Sequence, residues 1–202
     1  KKYLRKKEIF LGERFDPDQL QIEKVHIRYQ SLQARRIVFT EGFGMKQNPY
    51  FNYLPMQGSK GEYLFIKAPE LKEDKAIKSS IFCIPEGDDV YRIGANYARE
   101  DKTNKPTDAA KSELLKKWDS FIRCKYEVID QVAGVRPTVS DRKPLVGQHP
   151  KYPTMYVLNG FGSRGVMTCP YASEKLYQNI SADFSLDTEL DVARFTKKHF
   201  KS

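Results

Sequence analysis

Cysteine is scarce in this chain of 202 residues, which has only Cys83, Cys124 and Cys169. They lie far apart and form neither a metal-ligand pair nor an even-numbered disulfide set. That usage points to a reducing compartment, the cytoplasm. Histidine is as sparse: His26, His149 and His199 share no spacing, so neither a metal centre nor a catalytic histidine is expected. No apolar run approaches the ~20 residues a membrane helix needs. No positively charged start leads into an apolar stretch of the secretory kind. Internal repeats and low-complexity tracts are also lacking, which excludes solenoids and linkers of biased composition.

What remains is the composition of a globular chain, 40% hydrophobic and 30% charged. Acidic residues are outnumbered, and the formal net charge is +9. The lysines are dispersed among carboxylates, as on an ordinary solvated surface. No recognised nucleic-acid module accompanies them, so the charge alone does not indicate a nucleic-acid partner.

The apolar periodicity predicts mostly strands. Lys24–Gln30 alternates Val25, Ile27 and Tyr29 on one face, and Ser31–Ala34 is expected to join it to a second strand over Arg35–Thr40. Gly42–Pro55 reads as a loop, and Gly61–Pro69 as a strand closed by its proline. Leu71–Ser79 is an exposed excursion. Ser80–Tyr97 holds two β-type runs around EGDD, a strong hairpin signal. From Thr107 the period becomes helical, with Leu114, Leu115, Trp118, Phe121 and Ile122 on one stripe and Thr107 or Asp108 as N-cap. Tyr126–Pro137 and Met155–Gly160 return to strand. A helix follows over Arg164–Ile180, with Val166, Tyr171 and Leu176 on its inner side, and Asp187–Phe200 gives a final turn or short helix. The expected class is α+β, with a mostly antiparallel sheet and a few helices.

The most informative stretch runs from Ala133 to Pro170. In AGVRPTVSDRKPLVG, Arg136 is held beside Pro137, which restricts its backbone. In YVLNGFGSRGVMTCP, a strand passes through a glycine-rich turn into a helix start. Such a turn presents N–H groups and the positive end of a helix dipole to an electron-rich group. An arginine fork and an anion-friendly helix start suggest a small carboxylate beside a cofactor. Two plainer readings stay open. Arg136 pairs with Asp130 or Asp141 to tie strands together, or the glycine turn is a tight connection capped by Ser163.

The order of Gly134, Arg136, Pro137, Asp141, Pro144 and Gly147, then Asn159, Gly160, Gly162, Gly165 and Pro170, resembles the carboxyl-terminal part of the FAD-dependent D-amino-acid oxidase family. That family includes glycine and sarcosine oxidases. Arg35–Gly42 resembles the strand and turn that return that family's chain to its flavin domain, and Leu54–Ile66 the start of its substrate domain. The resemblance implies three parts. Residues 1–42 close the flavin-domain region, 43–130 form the substrate-domain sheet and helix, and 131–202 return to the flavin domain with the strand and helix that complete it.

The family's opening dinucleotide-binding unit is missing. Gly160–Gly165 mimics its G-x-G-x-x-G, yet no βαβ unit follows. The expectation is therefore the carboxyl-terminal part of a longer flavoprotein, inactive alone. Its partner would be the missing amino-terminal flavin half, or a second copy of the chain covering the exposed face.

The resemblance further implies FAD in the intact protein and a small amine or amino acid as substrate. Arg136 would hold the substrate carboxylate. Gly160, Phe161, Gly162, Ser163, Arg164, Gly165 and Val166 would approach the flavin. The family often adds a tyrosine from the substrate sheet, but Phe82 stands there without a hydroxyl; Tyr91 and Tyr97 are the candidates to replace it. The competing reading is a non-catalytic, stand-alone module that binds a small anion, a protein or nucleic acid without flavin.

Overall fold

The structure, a computed structural model, describes residues 1–201. A short exposed helix α1 (Lys2–Lys6) precedes a three-stranded antiparallel meander of β1 (Leu20–Ile22), β2 (Ile27–Tyr29) and β3 (Leu32–Ala34). The expected strand pairing is corrected here. The chain reverses at Gln30, whose φ is +53°, and Tyr29 faces Leu32 across a two-residue turn. Leu32–Ala34 is thus a strand and not a connection. The following strand β4 (Ile37–Phe39) leaves for another sheet. Gly42–Pro55 holds a 3-10 segment over Gly42–Gln47, and Met45, Phe51 and Leu54 are fully buried.

The largest sheet has five antiparallel strands: β5 (Ser59–Lys67), β6 (Ile77–Lys78), β7 (Phe82–Gly87), β8 (Val90–Gly94) and β9 (Glu127–Arg136). Their order is β6-β7-β8-β5-β9. The β7–β8 hairpin turns through Asp88 and Asp89 with φ of 53° and 61°, the doubly positive geometry of two-residue turns. One face is closed by α2 (Asp108–Asp119). The Thr107 hydroxyl accepts from the Ala110 N–H at 3.3 Å as its N-cap. Leu114 and Trp118 of α2 bury against Leu64, Ile66 and Ile93.

A mixed sheet joins the ends of the chain. β10 (Leu145–Gln148) pairs antiparallel with β11 (Met155–Asn159), and β11 pairs in parallel with β4. Both faces of β10 and β11 are buried. Leu145, Met155 and Val157 face the core shared with the meander, while Val146 and Tyr156 face α3 (Gly165–Ala182). Of the three residues expected to line α3, only Leu176 does so, together with Ala172; Val166 and Tyr171 point outward, 95% and 55% exposed. The α3 stripe is set by Ala172 and Leu176, four residues apart, which excludes Tyr171 from that face. A short α4 (Ala193–His199) ends the fold. The expected α+β class, with a mostly antiparallel sheet and few helices, is what the chain adopts.

His149, in the β10–β11 connection, is 3% exposed and ringed by Phe51, Tyr53, Tyr152 and Phe200. Its Nδ1 accepts from the N–H groups of Lys151 and Tyr152, both at 3.1 Å. That leaves Nε2 as the donor to the Tyr50 carbonyl at 3.0 Å. Burial pushes its pKa below the ordinary 6.5. Above that value the imidazole is neutral whether folded or unfolded, and stability does not depend on it. Below it, the unfolded chain takes up a proton that the folded chain resists. Urea unfolding should therefore show stability falling on acidification below pH 6.5, by up to about 1.4 kcal/mol per pH unit. His149→Gln should flatten that fall; an unchanged slope would assign the effect to another group.

Candidate functional site

Strand β5 separates two environments by its period of two. Lys60, Glu62, Leu64 and Ile66 face α2 and are buried. Ser59, Gly61, Tyr63 and Phe65 face the other way. Register brings Arg136 opposite Ser59, Gly134 opposite Gly61, and Gly94 and Phe82 into line with Tyr63. Arg136 therefore projects onto the face that α2 leaves open.

The guanidinium of Arg136 lies across β5 over Gly61, where any Cβ would overlap it. Both of its Nη atoms stand 3.5 Å from the Asn96 carbonyl, and the Tyr97 ring lies against it, 4.4 Å from Cζ to the ring centroid. Neither carboxylate that could have claimed it does so. Asp141 pairs with Arg194 at 2.9 Å, and Asp130 is turned to the Gln131 N–H. The strand-tie reading of Arg136 is thereby set aside. Its fork keeps capacity for an external carboxylate.

Tyr97 belongs to a loop, 95–107, that wraps from the open face round to the start of α2. Two buried ions on β5 hold it. Lys60, fully buried, donates to Asp101 at 2.6 Å and to the Lys105 carbonyl, and it lies 3.3 Å from Glu62. Glu62 accepts from the Thr107 N–H and hydroxyl and from Gln131, each at 2.8 Å. The Lys60 contact and the Thr103 donors hold Asp101 down at about 2. Burial alone would push Glu62 up, but its hydrogen bonds keep it below the usual carboxylate range. Asp101 holds Lys60 above its ordinary value despite burial. All three groups are ionised at neutral pH, and the loop is tied to the sheet by charge.

Across from the loop lie the crossing segment 137–144 and the glycine turn. Together they enclose a cleft of about 710 Å³ at the junction of the two sheets. Gly160 has φ of +78°, and a Cβ there would press on Val139 and Leu145. Gly162 has φ of +55°, and its missing side chain leaves open space apart from Thr138. The start of α3 is uncapped: Arg164 is the N-cap residue and makes no side-chain bond, so Ser163 does not play that part. Among the described residues, the N–H groups of Gly165 and Val166 find no acceptor.

The cleft brings together Arg136, Tyr97, Gly160, Phe161, Gly162, Ser163 and Arg164. Gly165 and Val166 lie just beyond its lining. Tyr91 is not there: it shares parity with Ile93, sits 3% exposed in the core under α2, and its hydroxyl accepts from the Glu73 N–H at 3.2 Å. Strand alternation put it on the wrong face. Unforeseen lining residues are Arg99, Lys102 and Arg142, which come from irregular segments that no spacing marks. Among the described residues, no cluster of three or more His, Cys, Asp or Glu could hold a metal ion, and no helix is long and apolar enough to cross a membrane.

A family model described as FAD dependent oxidoreductase matches residues 13–178. The tRNA 5-methylaminomethyl-2-thiouridine biosynthesis bifunctional protein MnmC of Aromatoleum aromaticum is 26% identical over 184 residues, covering 78% of this chain and 29% of that protein. The iminodiacetate oxidase of Chelativorans sp. BNC1 superposes with a TM-score of 0.70 at 18% identity, over 85% of this chain and 51% of that one. Glycine oxidase from Geobacillus kaustophilus gives 0.66 at 18%, over 88% and 49%. The chain thus spans less than a third of that curated relative and about half of those solved structures.

The seat of Arg136 can be tested directly. Gly61→Ala should displace the guanidinium and weaken acetate binding about tenfold or more, the scale of one lost charged hydrogen bond. Far-UV circular dichroism should be unchanged. Unaltered acetate affinity would show that Arg136 needs no gap at Gly61.

Proposed function

The chain belongs to the FAD dependent oxidoreductase family, and we propose that it is the carboxyl-terminal part of an enzyme that oxidises the C–N bond of an amino acid or related amine. The observation that carries this reading is an arginine fork with no carboxylate of its own, lining one cleft with an uncapped helix start. Residues 43–130 then supply the substrate side, while 1–42 and 131–202 supply the flavin side.

The residues present fit an FAD ring. At Gly162 the missing side chain leaves the backbone open to a flat group, and the free N–H groups of Gly165 and Val166 are donors for an electron-rich edge. No dinucleotide-binding unit lies within the chain, so the nucleotide arm of FAD would be held by the flavin half that this chain does not contain. When bound, FAD supplies a two-electron acceptor for the hydride that leaves the carbon beside the amine.

Arg136 binds the substrate carboxylate through two parallel hydrogen bonds and fixes the orientation of the neighbouring C–H. Tyr97 restrains the guanidinium by stacking. Among the described residues the cleft lining holds no His, Asp or Glu as a base, and the amine need only arrive unprotonated. The imine product then hydrolyses in water. The chain's cysteine usage suits a cytoplasmic enzyme.

A second reading keeps this chemistry and changes the carrier, with the amine borne on a tRNA base. The name of the curated relative and the net charge of +9 favour it.

In the intact flavoprotein, Arg136→Leu should lower kcat/KM for glycine or N-methylglycine by about 10²–10³-fold, on the order of 3–4 kcal/mol of transition-state stabilisation. Anaerobic bleaching of the flavin absorbance reads this. Near-normal kinetics would remove Arg136 from the site, and an intact protein without flavin absorbance would favour the non-catalytic module. Bleaching by tRNA bearing an amine-modified base, with none by free amino acids, would select the second reading.

A further inference from the structure

We propose that the outer rim of the cleft is a second anion subsite, so that the substrate amine carries two anionic groups. One sits on Arg136 and the other among Arg99, Arg142 and Arg164. The proposal deepens the amine-oxidation reading and rests on its assignment of Arg136 to a carboxylate.

Among the described residues, the cleft is lined by five cations, Arg99, Lys102, Arg136, Arg142 and Arg164, and by no carboxylate. One carboxylate on Arg136 leaves four positive groups facing the same space. Lys102 is accounted for, since its Nζ donates to the carbonyls of Gly58 and Arg99 and braces the wall. Among the described residues, Arg99, Arg142 and Arg164 make no ion pair and no side-chain hydrogen bond. They arrive from three separate parts of the chain: the 95–107 loop, the 137–144 crossing and the start of α3. The loop is held in place by the pair between buried Lys60 and half-buried Asp101, so Arg99 is carried by an anchored wall. Arg142 is held at φ of 60° by a turn whose N–H donates to the Val139 carbonyl at 3.0 Å. Like charges gathered without counter-charge focus a positive potential in a concave site, and a ligand with a second anion relieves it. The shared chemistry is an anionic group within reach of the amine. A carboxylate or phosphonate on a small molecule, or a phosphodiester of an RNA carrier, would supply it.

The test uses the intact flavoprotein and follows ligand-induced changes in flavin absorbance without oxygen at low salt. The ligands are glycine, iminodiacetate and N-(phosphonomethyl)glycine. The two-anion amines should bind at least tenfold more tightly than glycine, and added salt should erode the advantage. Arg99→Gln/Arg142→Gln should abolish the advantage while leaving glycine affinity within about twofold. Inorganic phosphate, which carries no amine, should bind wild type and Arg136→Leu alike and be lost from the double variant. A short single-stranded oligoribonucleotide that displaces phosphate from wild type would make the second anion a phosphodiester; failure to displace would make it a small-molecule group.

Equal affinity for glycine and iminodiacetate in wild type would overturn the proposal. So would loss of bound flavin from the double variant, because the rim would then hold the cofactor. Unchanged glycine binding in Arg136→Leu strikes the carboxylate assignment instead, and the phosphate titration still reports on the rim.

Discussion

A lysine taken wholly out of water must be neutralised where it lies, and in this protein that requirement shapes the site. Lys60 and Glu62 stand on the same face of β5 as Leu64 and Ile66. The apolar pair lies under α2, whereas the ionic pair finds its partners in the 95–107 loop, the α2 N-cap and Gln131 of β9. The demand for counter-charge thus pulls the loop round the end of the sheet. Tyr97 then meets Arg136 on the opposite face. A polar defect in one layer becomes the wall of a cleft in the other.

The cleft follows from topology as much as from any residue. The chain enters the large sheet through 55–58 and leaves it through 137–144, and both passages lie at the junction with the mixed sheet. Arg136 is the last residue of β9, and the glycine turn follows β11, so two strand ends from different sheets converge there. Gly61, opposite Gly134, keeps a side chain away from the floor beneath the guanidinium. The proposed carboxylate site rests on this combination, a cation that is positioned but not already paired.

Much of the local structure was readable from composition and period. The EGDD hairpin follows from residues that tolerate positive φ, and α2 from Thr107 and the Leu114–Trp118 stripe. Arg136 and the Gly160–Gly165 turn were legible because proline restricts the backbone and glycine permits positive φ, and both leave marks in the sequence. The meander was less so. Leu32–Ala34 is only three residues long, too short for a periodic signal, and the strand read over Arg35–Thr40 pairs with a partner far away in sequence. The face of Tyr91 could not be settled from its own hairpin, because alternation tells which residues share a face but not which face receives a helix.

The sequence by itself determined the α+β class, the arginine and the glycine turn, since these rest on local preferences of a few adjacent residues. Only the tertiary structure decided that Arg136 is free of Asp130 and Asp141 and that Tyr97 rather than Tyr91 stands beside it. The same holds for the gathering of Arg99, Arg142 and Arg164 in one cleft. Those outcomes depend on pairings between residues far apart in the chain, such as Ser59 with Arg136, 77 positions away. Such contacts follow from burying one face of a sheet and neutralising Lys60, and neither constraint is written in the residues that meet.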